Sequence, residues 1–120
     1  MNITHFRNTP NVALDESNPV AVPLSEPVAI TSTTSVERSD GVETGIWECT
    51  PGRWRRQIVQ QEFCHFVAGR CTFTPDGGEP IEIRAGDALT GQYPRHLGHT
   101  RNGAQNLRAD LLNQHLFSTA

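Results

Sequence analysis

Residues 69–87, GRCTFTPDGGEPIEIRAGD, leave the chain little choice of local structure. Cys71 and Phe73 alternate with Thr72 and Thr74, a Pro-Asp-Gly-Gly segment reverses direction, and Ile81 and Ile83 then alternate with Glu82 and Arg84. Period-two alternation on both sides of a turn predicts a hairpin with one buried face and one wet face. Upstream, ETGIWECTPGRWRRQIVQ reads as two more strands around Pro51 and Gly52, with Trp47 and Trp54 as packing or pocket-wall residues. Short β-branched blocks divided by RSDG (38–41), TPG (50–52) and RAGD (84–87) predict an all-β sandwich or barrel, and no helical periodicity interrupts residues 26–89.

At 120 residues and 13.3 kDa the chain has material for one modest core. A formal charge of -3 lacks the basic face that nucleic acid or an anionic membrane would require. The longest apolar runs, such as 20–22 and 66–68, are too short for a bilayer span or a signal-peptide core. Together these predict a soluble, cytoplasmic protein. Cys49, Cys64 and Cys71 lack CxxC spacing and sit in apolar segments, which predicts buried free thiols. Residues 1–25, with Pro10, Pro19 and Pro23 among polar residues, predict an irregular arm with at most a short strand near its end.

Within EFCHFVAGRCTFTPDGGEPIEIRAGDAL, Glu62, Gly69 seven positions later, a turn, and the Gly86-Asp87 pair resemble the first motif of the cupin superfamily. Together with GIWECTPGRWRR, the segment is similar to small single-domain cupins grouped with the ureidoglycine aminohydrolase cupin domain. The resemblance covers residues 26–89. It implies a double-stranded β-helix, or jelly roll, with a small-molecule pocket inside, commonly a homodimer, and it suggests ureido or amide compounds as ligands.

The resemblance also implies two histidines upstream of the glutamate and a third in a second motif, a set suited to a divalent metal. Here the positions four and six before Glu62 are Ile58 and Arg56, and one more spacer gives Gln57 and Arg55. The expectation is therefore no cofactor and no assigned metal ligand, with a divalent metal as the alternative although the usual histidines are absent. Glu62 and His65 are the candidate catalytic residues: the first a carboxylate needing a partner inside a barrel, the second either a pocket acid/base or a structural imidazole. Arg56 is the natural partner of Glu62, and Trp47 and Glu48 are candidate substrate contacts. Arg53 and Arg55 are expected to face water, Asp76 and Asp87 to serve turns, and His5 to be solvated. The pair His96 and His99, without a nearby carboxylate or thiol, makes a poor metal site.

After Leu89 the pattern changes. Leu107, Leu111, Leu112 and Leu116 stand at helical spacing. The strands expected after Gly-Asp in this group, with Gly-Thr-Trp and Arg-Lys-x-Tyr segments, do not stand in residues 90–120. Back-translated with permitted codons and read one base later, residues 91–113 do yield such segments followed by a stop. This predicts that the coding frame slips near Leu89 or Thr90, that 90–120 is a non-family tail outside the sandwich with a helix within 103–117, and that the jelly roll is incomplete at its C-terminus. An ordered pair of closing strands is the outcome that counts against a slip. Three functions follow: an enzyme acting on a small ureido or amide metabolite, a metal-free non-catalytic binding or regulatory dimer, or an inactive truncated barrel.

Overall fold

The computed structural model describes residues 3–37, 41–58, 61–91, 96–102 and 105–114. Among these residues ten strands form two antiparallel sheets: β1 (Glu16–Pro19), β2 (Ile30–Glu37), β3 (Val42–Cys49), β4 (Arg53–Ile58), β5 (Gln61–Ala68), β6 (Arg70–Pro75), β7 (Ile81–Arg84), β8 (Ala88–Gly91), β9 (His96–Asn102) and β10 (Leu107–Gln114). One sheet has six strands in the order β1-β2-β3-β10-β5-β8, and the other four in the order β4-β9-β6-β7. The predicted hairpin is β6 with β7, in register from Arg70 opposite Arg84 to Phe73 opposite Ile81. No helix among the described residues is long and apolar enough to cross a membrane.

The strands close because their inward faces share one apolar filling. Cys64, Phe66, Cys71, Phe73, Ile83, Leu107 and Ala109 form the main core cluster, with Trp47, Leu89 and Leu111 packed against it. A second cluster, Val20, Ala29, Cys49 and Trp54, meets the first at Trp47. All three cysteines are buried thiols outside any disulfide, as expected of small hydrophobes.

Two glycines of the recognised motif have geometric reasons. Gly69, at φ +80°, lies so close beneath the start of β10 that an added Cβ would stand 2.4 Å from the Asn106 carbonyl oxygen. Gly86, at φ 98°, makes the turn into β8, where its N–H donates to the Phe66 carbonyl at 2.7 Å.

The C-terminal expectation is overturned. Residues 107–114 are strand, not helix; β10 lies between β3 and β5, and β9 between β4 and β6. The chain as written closes its own jelly roll, which counts against the frame slip. The physical reason lies in Leu107, Ala109 and Leu111: their side chains fill the barrel while Arg108 and Asp110 take the opposite face. Read by period two rather than by leucine spacing, the segment is a central strand. The parts of the expected helix at 103–104 and 115–117 lie outside the described residues.

The N-terminal arm is irregular, with the expected short strand. Its 3-10 turn, Thr9–Asn11, packs against β5. Beyond β1 the segment crosses from one sheet to the other. Val20 N–H donates to the Ala29 carbonyl, Leu24 N–H to the Arg53 carbonyl, and Arg55 N–H to the Val22 carbonyl, at 3.0, 2.8 and 3.0 Å. Residues 16–24 thus strap the open edge of β2 to the open edge of β4, leaving neither edge bare on that side of the sandwich.

Candidate functional site

The interior polar cluster begins with alternation. On β4, Trp54 and Arg56 share one face, while Arg55 takes the other and forms a two-pronged ion pair with Asp76, 2.8 Å at each prong. On β5, Glu62, Cys64 and Phe66 share the inward face. Arg56 and Glu62 therefore meet as an ion pair bridging the two sheets, both side chains largely buried. The Arg56 guanidinium also lies over the Trp47 ring, 5.7 Å from its centroid, a cation–π contact. Trp47 and Trp54 are tilted at 45° with centroids 6.4 Å apart. The Cys64 thiol donates to Glu62 Oε1 at 2.9 Å.

Electrostatics keep the Arg56 guanidinium charged and the Cys64 thiol neutral near neutral pH. Burial is the largest single influence on Arg56 and works against its charge, but Glu62, Cys64 and Cys71 together outweigh it, and the net result lies above the ordinary arginine value. Burial, with the Glu62 carboxylate beside it, pushes the Cys64 thiol far up. Burial likewise pushes Cys71 up to about 11. Neither thiol is a ready nucleophile, since the thiolate is the reactive form.

Two cavities adjoin the cluster and share Trp47 and Arg56 as walls. One, of about 210 Å³, reaches Glu62, Glu43, Thr44 and Leu111. The other, of about 490 Å³, lies beneath the strap, against Val20, Val22 and Trp54.

Of the residues expected at the site, Glu62, Arg56 and Trp47 are brought together. His65 and Glu48 are not, and the reason is parity. An odd number of residues along a strand reverses the face, so His65, three from Glu62, and Glu48, next to Trp47, both point outward. The proposed pocket position of both is corrected accordingly. His65 Nδ1 lies 3.7 Å from Asp110 Oδ2, both half-exposed. Glu48 accepts from Arg108 Nε at 2.9 Å and Asn106 Nδ2 at 3.2 Å. Arg108 also donates to the carbonyls of Thr9 and Val12 at 2.9 and 2.8 Å, pinning the arm to the outer face.

Cys64 was missed as a partner of Glu62, although its i+2 position on a strand was the available signal. Arg108 and Asp110 were missed because their segment was set aside. Asp87 serves its turn, its Oδ2 accepting from Arg84 N–H at 2.8 Å, and His5 is exposed. His96 and His99 stand opposite Ile58 and Arg55 in the ladder.

A divalent metal of the kind the resemblance implies does not fit the described residues. No group of three or more His, Cys, Asp and Glu side chains converges among them. Where the resemblance implies a ligand histidine, Arg56 places a cation that cannot donate an electron pair. The carboxylate that would ligate is engaged by that same cation, and the adjacent thiol is protonated.

Two rolled antiparallel sheets enclosing a polar cluster define a jelly-roll protein of the cupin class. Residues 36–92 match the family described as the EutQ-like cupin domain, and the fold is that of a small cupin. The match ends before β9 and β10. Clostridium difficile EutQ superposes with a TM-score of 0.65 at 14% identity, covering 89% of this chain and 83% of that one. A Pseudomonas syringae protein of unknown function gives 0.74 at 17% identity, covering 87% of this chain and 45% of that one. The DMSP lyase DddQ of Ruegeria pomeroyi gives 0.60 at 18% identity, covering 75% and 49%. Among proteins of curated function, none matches the sequence.

Proposed function

We propose that this cupin binds a small ureido- or amide-bearing metabolite in the Glu62 cavity, without a metal and without turning it over. The observation that carries the reading is the Arg56–Glu62 pair in the wall of that cavity. A guanidinium beside a carboxylate presents N–H donors and oxygen acceptors side by side, matching the C=O and N–H groups of a ureide or amide. A buried site built to satisfy those groups rejects analogues lacking them. A non-catalytic role is favoured over hydrolysis because Glu62 is held by Arg56, Cys64 is protonated, and His65 stands on the other face.

The test is a thermal-shift titration with N-carbamoylglycine in the presence of a chelator. The expected result is a saturable rise in Tm, absent with acetate, lost in Arg56→Gln, and with no change in the ligand afterwards by NMR. A shift that requires added manganese, iron, nickel or zinc overturns the metal-free reading. Consumption of the ligand overturns the non-catalytic one.

A further inference from the structure

The chamber beneath the strap is a second compartment, separated from the Glu62 cavity by Trp47 and Arg56. Its volume, about 490 Å³, lies within the range of small-molecule sites. Its lining divides by chemistry. Pro19, Val20 and Val22 on the strap are apolar, Trp47 and Trp54 present tilted ring faces, and Arg56 supplies a guanidinium. That guanidinium carries five N–H donors, more than the Glu62 carboxylate and the Cys64 sulfur occupy. A further donor belongs to the same wall: the buried Trp54 indole N–H meets no acceptor among the described residues. Buried donors without partners are rare enough to call for a cause.

We infer that the strap chamber is a binding site for a small aromatic carboxylate, its ring against Trp47 and Trp54 and its carboxylate turned to Arg56. Aromatic faces select a flat ring through offset or edge-to-face contact, and a guanidinium shielded from water selects a carboxylate through charge-assisted hydrogen bonds. The strap sets access, because Ala21 and Val22 line the chamber yet are exposed to solvent. This inference does not depend on the ureido reading: Glu62, essential there, is here a competitor for Arg56.

The chain has two tryptophans and both line the chamber, so intrinsic fluorescence reports it directly. Titration with benzoate is expected to change the emission saturably, with benzyl alcohol at least tenfold weaker. Glu62→Gln frees Arg56 and is expected to tighten benzoate severalfold while abolishing the response to N-carbamoylglycine. Val22→Glu, at an exposed position that leaves the core untouched, places a like charge at the entrance and is expected to weaken benzoate at least fivefold. No saturable change with benzoate, an equal response to benzyl alcohol, or indifference to Val22→Glu overturns the inference. These three overturning results leave the ureido reading standing, which the thermal-shift test decides.

Discussion

Two of the arginine–glutamate pairs among the described residues lie on opposite faces of the larger sheet, and they do different work. Arg56 and Glu62 meet inside the barrel with a cavity on either side of Arg56. Arg108 and Glu48 meet on the outer face, where Asn106 takes the other Glu48 oxygen and the Thr9 and Val12 carbonyls take further Arg108 donors. The outer pair is turned against the chain itself and fastens the arm. The inner pair retains room and unused donors. A charge pair alone therefore says little about function; what matters is whether protein or open space adjoins its remaining hydrogen-bonding groups.

The sharpest way to break this contrast is Arg56→Leu. It leaves Glu62 buried without its cation, and urea unfolding is expected to show a loss of about 3–5 kcal/mol. The double variant Arg56→Leu, Glu62→Leu should recover much of it; no recovery would mean that the pair is not the energetic unit. Arg108→Ala comes next, with an expected loss of about 2–3 kcal/mol from hydrogen bonds to charged groups. It should also release residues 3–15 to proteolysis while leaving N-carbamoylglycine binding in place. Loss of that binding would tie the two faces together.

The thiols give a smaller, pH-dependent effect. An unfolded thiol titrates near 9.0, whereas folded Cys71 holds its proton to about 11, and Cys64 is shifted in the same direction. A raised folded value means that the native state keeps protons the unfolded state loses. Stability is therefore full below pH 9 and declines as pH rises toward 11. Denaturation midpoints at pH 8 and 10.5, compared with a Cys64→Ala, Cys71→Ala variant, check the sign. The smallest effect is expected for His65→Gln, whose half-exposed partnership with Asp110 is worth less than about 0.5 kcal/mol. A larger loss would show that the outer face has a second structural centre.

Much of the barrel was legible in local sequence. Residues 69–87 declared their hairpin through alternation and a Pro-Asp-Gly-Gly turn, and Glu62 with Arg56 emerged as partners because a carboxylate inside a barrel needs one. The errors came from misjudged periodicity. Of the two readings of His65, the pocket acid/base fails because three steps along a strand from Glu62 end on the opposite face. Reading 107–116 by its leucines hid the sequence Leu107, Ala109, Leu111, where a small residue continues the apolar stripe and Leu112 obscures it. Leu112 stands on the outer face opposite Phe63, and both are exposed.

The sequence by itself determined the strand class, the inward burial of the three thiols and the identity of the inner ion pair, because each follows from side-chain alternation or from the cost of burying charge. Only the tertiary structure decided that residues 96–102 and 107–114 close the barrel, that Arg108 pins the arm, and that residues 16–24 roof a chamber over both tryptophans. Those features depend on pairings between residues far apart in the chain: Arg108 with Thr9, Val22 with Arg55, β10 between β3 and β5. Local periodicity sets which face a residue takes, but which strand meets it there is fixed by the packing of the whole sandwich.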